Sequence, residues 1–321
     1  MAEKTNDPGP APKESTFRSF TPEQSANYAA NRLDYHPRLY NIVLSHHQST
    51  GGQLDTVLDI GCGPGTATRS LAGLFNHAVG IDPSEGMITT ARSLGGVTHA
   101  NNNEPIRFEV CTIEDVTAQA ALEAGSVDLL TAATAAHWFD MASFWPHAAR
   151  LLRPGGTVAL WIGGPILVDP SMPNGAAIQA AIDGFEAALD DYMAPGNRAA
   201  RGLYVDMVLP WMLDTPVPEF EQASFVRREW GVGEGKEPAD EYYNIQRPAN
   251  VDSLALAFAT ASPYIRWREA NAEAVGTETD PLEVMKKEIK RLLQDAGMDP
   301  KTGVIKGGIG AVLLMVKKTA N

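Results

Sequence analysis

Three glycines at alternate positions follow a short apolar run in TVLDIGCGPGTATRS, residues 56–70. Glycine is needed where the backbone takes positive φ, or where a ligand comes too close for a Cβ. Asp82 closes the second apolar run, in VGIDPSEGM. A carboxylate there is placed to accept hydrogen bonds from both hydroxyls of a ribose. Glu114 follows the third run, in CTIEDV, where a carboxylate or a backbone group can meet an adenine edge. Met87 stands where its thioether can pack on the ring face, although Met87 and Ile113 are equally well explained as core. A glycine turn alone is often structural. A glycine loop and two acids at successive strand tips point to a nucleoside ligand.

The spacing discriminates between nucleosides. A dinucleotide site needs G-x-G-x-x-G, with a helix N-terminus aimed at the pyrophosphate. Here the pattern is G-x-G-x-G, and Thr66 stands where that third glycine would be. Pro64 removes one N–H donor from the rim that would greet an anion. Asp59, two residues before Gly61, adds negative charge that repels a diphosphate and suits an ammonium group. The expected ligand is a nucleoside with a cationic tail and no phosphates, the form of S-adenosylmethionine. A nicotinamide oxidoreductase fails on the spacing.

These residues require alternating strands and helices to hold them. Strands are expected over 56–60, 78–81, 106–110, 127–132 and 157–162, with helices near 65–75, 84–94 and 141–152. That alternation implies right-handed crossovers and a mainly parallel sheet buried on both faces. Before it, Thr21-Pro22-Glu23-Gln24 predicts a capped helix start and Pro37 opens a second helix. After residue 162 the rhythm breaks. Ile178, Ile182, Phe185 and Leu189 mark one amphipathic helix, Leu254, Phe258 and Ile265 a second, and Leu282, Met285, Ile289 and Leu292 a third with Gly297 past its end. Residues 220–232 suit a sixth strand and 307–318 a final buried one. The division expected is a disordered tail at 1–16 and a single domain at 17–321. That domain comprises an N-terminal helical cap (17–50), a cofactor-binding core (51–164), a helical lid over the acceptor (165–300) and the final strand (301–321).

Composition narrows the function. Of 321 residues, 44% are hydrophobic, enough for a large core, and 26 Lys and Arg against 39 Asp and Glu leave a net charge of −13. No basic run suits nucleic acid or an anionic membrane surface. Two cysteines cannot build a disulfide framework, residues 1–16 lack a signal core, and the longest apolar run is too short to span a bilayer. A cytoplasmic protein is expected, as monomer or homodimer. His77, His99 and His147 have no metal-ligand spacing with Cys or acids, so no metal is expected.

VLDIGCGPGTAT, GIDPSEGMITTAR and LLRPGGTVALW resemble the first motif, the second motif and the turn into the fifth strand of the class I S-adenosylmethionine-dependent methyltransferases. TAATAAHWFDMASF, NYAANRLDYHPRLY and ASPYIRWREAN are similar to the fungal trans-aconitate 3-methyltransferase-like subfamily. The resemblance covers most of residues 20–318. It implies a Rossmann-like, seven-stranded, mostly parallel sheet with its last strand antiparallel, and methyl transfer to a small molecule. By position it implies that Asp59, Gly61, Cys62 and Gly63 line the methionine and ribose portion. Asp82 would then hold the ribose, Met87, Ile113 and Glu114 the adenine, Ala133 the methionine moiety, and Tyr28 would close over the site.

For such chemistry the protein aligns the acceptor and excludes water. Trp138, Phe139, Phe144, Trp145, Tyr264 and Trp267 are candidate walls, and Arg32, Trp138, Tyr264 and Trp267 candidate substrate contacts. His137 is the one titratable group beside a strand tip able to take a hydroxyl proton at neutral pH, unless it only fixes its loop. A carboxylate or thiolate acceptor needs no base. A tricarboxylate would need several convergent cations, for which Arg32, Arg198, Arg201, Arg266 and Arg268 are the candidates. A neutral or weakly acidic metabolite, such as one of fungal secondary metabolism, fits as well. O-methylation is expected. The rival is a non-methylating enzyme, catalysing a cyclisation or pericyclic step, on the same fold and cofactor.

Overall fold

The computed structural model describes residues 20–31, 33–99, 103–231, 234–243 and 249–320. The expected tail at 1–16 and the candidate Arg32 lie outside them. Two helices come first, α1 (Pro22–Asn31) and α2 (Pro37–Ser49). The α1 start is a capping box: the Gln24 amide donates to Thr21 Oγ1 (3.2 Å) and the Thr21 amide to Gln24 Oε1 (2.8 Å). At α2, His36 Nδ1 accepts from the Arg38 amide (3.1 Å) and Pro37 occupies the first turn.

The alternating region follows as β1 (Thr56–Ile60), α3 (Thr66–Ala72), β2 (His77–Asp82), α4 (Glu85–Leu94), β3 (Arg107–Val110), α5 (Val116–Gln119), β4 (Val127–Ala133), α6 (Met141–Leu151) and β5 (Leu152–Val168). Then come α7 (Gly175–Ala187), α8 (Pro195–Arg201), β6 (Val226–Gly231), β7 (Glu237–Pro238), α9 (Val251–Ala259), α10 (Ser262–Ala270), α11 (Pro281–Asp295) and β8 (Gly307–Lys317). The sheet order is β3-β2-β1-β4-β5-β8-β6-β7. Neighbours among β1 to β5 pair in parallel, while β8 is antiparallel to both β5 and β6. Eight strands stand where seven were expected; the addition is β7, a two-residue edge piece beside β6.

Successive residues of the central strands feed opposite cores. Leu58, Leu130 and Leu160 pack on one face with Phe144 and Trp145, and Val57, Leu129 and Ala159 on the other with Leu39, Val43 and Phe75. Every residue of β1 is buried, which is why the run is continuous rather than alternating. β5 is longer than expected, because its ladder reaches Leu152 at one end and Val168 at the other.

A third core joins α7, α9, α10 and α11 through Ile178, Phe185, Leu254, Tyr264, Met285 and Ile289. The helix expected across Leu254, Phe258 and Ile265 is two, α9 and α10. Pro263 lies in the first turn of α10, where its missing N–H costs no helical bond, whereas a continuous helix would lose one there. None of the described helices is long and apolar enough to cross a membrane.

Candidate functional site

The glycine loop leaves β1 with Gly61, Gly63 and Gly65 all at positive φ (65°, 54° and 82°). Their reasons differ. A Cβ on Gly61 would lie 2.5 Å from Ala135 Cβ, and one on Gly65 2.6 Å from the Phe108 ring, while one on Gly63 would meet nothing within 4 Å. Gly61 and Gly65 therefore admit close packing, and Gly63 alone looks onto open space. The bend is tied by the Cys62 amide to Ile81 O (3.0 Å) and the Gly65 amide to Cys62 O (2.9 Å). Pro64 turns its carbonyl to Arg69 Nη2 (2.7 Å).

Asp82 Oδ2 accepts from the Gly63 amide (3.0 Å) and Oδ1 from the Ser84 amide (2.8 Å). The same carboxylate thus holds the loop and the start of α4, where Ser84 caps through the Met87 amide.

Asp59 corrects an expectation. It is fully buried beneath the loop, and its two oxygens accept from Thr68 Oγ1 (2.7 Å) and Thr131 Oγ1 (2.8 Å). Burial pushes its carboxyl up to about 6, against the lowering effect of those hydroxyls. It braces β1, α3 and β4 and does not face the cleft, so the charge expected at the loop's entrance lies inside the protein.

One cleft, of about 1760 Å³, opens over the carboxyl ends of β1 to β4. It collects Tyr28, Gly61, Cys62, Gly63, Asp82, Met87, Ile113, Glu114, Ala133, His137 and Trp138 from the sequence expectations. At Glu114, burial acts to raise the carboxyl, but hydrogen bonds from Thr112, its own backbone and Ser143 Oγ (2.9 Å), with His147 nearby, leave it below the ordinary value.

Past β4 the cleft is lined by Phe139, Phe144, Gly196, Met212, Leu213, Val217, Tyr243 and Arg266. His137 lies in a short 3-10 turn, Ala136–Trp138, with its ring centroid 4.6 Å from that of Trp138. Its Nδ1 is 3.1 Å from the hydroxyl of Tyr204. Gly196 permits this packing, since a Cβ there would lie 2.5 Å from the Trp138 ring.

Tyr264 and Trp267 are corrections. They stack on each other at 5.7 Å inside the helical core, and Tyr264 donates to Asp280, itself 1% exposed. Neither lines the cleft. Trp145 is likewise core, its indole donating to Val208 O (2.9 Å). The arginines do not converge either. Arg201 pairs with Asp190 and Glu186, Arg198 donates to Asp190 O, and Arg268 lies over the Tyr264 ring. Arg266 alone of the described candidates reaches the cleft, held by Tyr192 O (2.8 Å) and Asn197 Oδ1.

Tyr35, Thr134 and Tyr243 escape sequence reasoning. Tyr35 stacks on Tyr243 (5.3 Å, 20°), the two form an antiparallel bridge, and the Tyr35 hydroxyl lies 2.7 Å from Thr134 Oγ1. Thr134 holds φ 57° at the end of β4, a conformation that costs a β-branched residue energy. The three come from segments about a hundred residues apart, and no local pattern joins them.

Residues 58–160 match the family described as methyltransferase domain. A Dictyostelium discoideum protein whose name assigns it to the methyltransferases is 31% identical over 198 residues, covering 62% of this chain and 68% of that protein. The chain belongs to the methyltransferase family. The methyltransferase is also similar to the Saccharomyces cerevisiae protein named Probable S-adenosylmethionine-dependent methyltransferase CRG1, 32% identical over 138 residues, 43% of the chain and 45% of that protein. Among solved structures, one described as a type II methyltransferase from Anaeromyxobacter dehalogenans shares the fold, with a TM-score of 0.56, 21% identity and coverage of 90% of this chain and 97% of that one.

The cofactor of the methyltransferase is S-adenosylmethionine, and the residues present fit it. Gly63 leaves space where a Cβ would intrude, Asp82 stands beside it as an acceptor, and Ile113 and Glu114 line the same cleft.

Proposed function

We propose that the methyltransferase methylates an oxygen, carboxylate or hydroxyl, of a small and largely apolar metabolite. In this reading Asp82 holds the ribose, Met87, Ile113 and Glu114 surround the adenine, Cys62 and Ala133 border the methionine portion, and Tyr28 covers it. The cofactor supplies an electrophilic methyl group on a positively charged sulfur. The chain aligns the acceptor with that methyl group and keeps water out, and alignment can contribute up to about 7–11 kcal/mol of barrier reduction. The described parts of segments 17–50 and 165–300 act as cap and lid over the acceptor.

The observation that carries the proposal is the second half of the cleft. It is walled by Trp138, Phe139, Phe144, Met212, Leu213 and Val217, and among its described residues only Arg266 bears a permanent positive charge. One guanidinium matches one anionic group. A tricarboxylate would leave two carboxylates facing Asp214 and Glu219, which line the same cleft.

The test is a panel of small phenols, monocarboxylic acids and tricarboxylates incubated with methyl-labelled cofactor, with products identified by mass spectrometry. Labelled methyl esters or ethers from the apolar members are expected. Label on nitrogen or carbon, or preferential methylation of tricarboxylates, would overturn the proposal. Conversion of a substrate without formation of S-adenosylhomocysteine would indicate a non-methylating enzyme.

A further inference from the structure

We infer that Tyr204 fixes His137 as a hydrogen-bond donor to the acceptor, so that the methyltransferase acts on an oxygen already ionised, in a carboxylate or an acidic phenol. The inference deepens the functional reading above and rests on it.

Tyr204 is 2% exposed, and its hydroxyl lies 3.1 Å from His137 Nδ1. Burial raises the phenol so that it keeps its proton. A buried hydroxyl that keeps its proton must direct it to an acceptor. Nδ1 is the acceptor within reach. A neutral imidazole has one N–H and one lone pair, so a ring accepting at Nδ1 carries its hydrogen on Nε2. His137 lines the cleft and Tyr204 does not. The ring edge away from Tyr204 therefore presents an N–H to the cleft, and an N–H cannot remove a proton.

The backbone is bent to achieve this contact. Leu203 and Tyr204 are successive non-glycine residues at positive φ, 51° and 56°, a conformation that L-residues avoid. It is held by the Tyr204 amide on Ala199 O (3.0 Å) and Arg227 Nη2 on Leu203 O (2.9 Å). Gly164 makes room, since a Cβ there would lie 2.5 Å from the Leu203 side chain. Strain of this kind collects where a side chain must be placed for function.

The chemistry balances without a base. A lone pair of the carboxylate or phenolate oxygen forms the new C–O bond, and the electrons of the breaking S–C bond remain on sulfur. One negative and one positive charge are lost together, and the products are an ester or ether and a neutral thioether. No proton moves. The donor N–H orients the acceptor through the same oxygen or its carboxylate partner, and the dry aromatic wall of Trp138 favours charge neutralisation.

The test is long-range proton–nitrogen NMR on protein with labelled histidine, saturated with S-adenosylhomocysteine at alkaline pH, with the His137 ring assigned from the His137→Gln spectrum. The inference expects the Nε2–H tautomer in the wild type and a shift toward Nδ1–H in the near-isosteric Tyr204→Phe. A wild-type ring protonated at Nδ1, or a tautomer unchanged by Tyr204→Phe, would overturn it. With an acceptor from the panel, His137→Gln keeps a donor and should retain kcat/KM within about tenfold, while His137→Ala should lose about a hundredfold. Equal loss in both would identify a base. If no acceptor is methylated even by the wild type, the functional reading fails, while the tautomer still decides the role of Tyr204.

Discussion

Replacing Asp82 by alanine removes the carboxylate that ties the cofactor side of the cleft together. In the structure its oxygens accept the backbone amides of Gly63 and Ser84, and the residue lines the cleft where the ribose diol is assigned. A hydrogen bond to a charged group contributes about 1.5–3 kcal/mol. Loss of one ribose bond alone therefore raises Kd by roughly 10- to 150-fold, at about 1.4 kcal/mol per decade. Release of the Gly63 amide loosens the loop and adds to the loss. Isothermal titration with S-adenosylhomocysteine should show affinity weakened at least about tenfold. Asp82→Asn should lose nearly as much, because its amide nitrogen would face either the Gly63 or the Ser84 N–H and oppose donor to donor. Thermal melting without ligand separates this from unfolding. An Asp82→Ala protein that melts normally and binds S-adenosylhomocysteine with native affinity would refute the ribose assignment and the loop clamp together.

Two further substitutions probe the ground around Asp82. Gly63→Ala should fold, at a cost of about 1–2 kcal/mol for its left-handed backbone, because its Cβ meets no protein atom within 4 Å. It should nevertheless weaken S-adenosylhomocysteine by more than about tenfold, and unchanged affinity in a calorimeter would mean that the glycine serves the turn alone. Asp59→Asn tests the buried brace through pH. The folded carboxyl is pushed up to about 6 from an ordinary 3.8, so its contribution is fully present below pH 3.8 and lost as pH rises through 6. The loss is on the order of 3 kcal/mol, because each tenfold change in proton affinity corresponds to about 1.4 kcal/mol. Denaturant melts between pH 4 and 6 should show the wild type losing stability relative to Asp59→Asn as pH rises, and parallel curves would contradict the burial argument.

The sequence by itself determined the alternating elements around the glycine loop and the order in which ligand-facing residues leave them. Short, mostly apolar runs such as TVLDI, bounded by glycines and alternating with helical patterns, suit strands covered on both faces, and capping at Thr21 and glycine termination at Gly297 are written in neighbouring residues, so local chemistry suffices. It also placed Gly63, Asp82, Ile113 and Glu114 at successive tips, since a parallel sheet brings its carboxyl ends together by construction. Tertiary structure decided which way each side chain turns and which distant segments meet. Asp59 and Gly61 are two residues apart, yet Asp59 is sealed beneath the loop by Thr68 and Thr131 while Gly61 borders the cleft. Tyr264 and Trp267 share α10 with Arg266, but the helix turns the two aromatics into its own core and gives the cleft only the arginine. The meeting of Tyr35 with Tyr243, and of His137 with Tyr204, depends on long-range packing between separate segments. Such contacts are fixed by how whole elements fill space, and no local spacing encodes that.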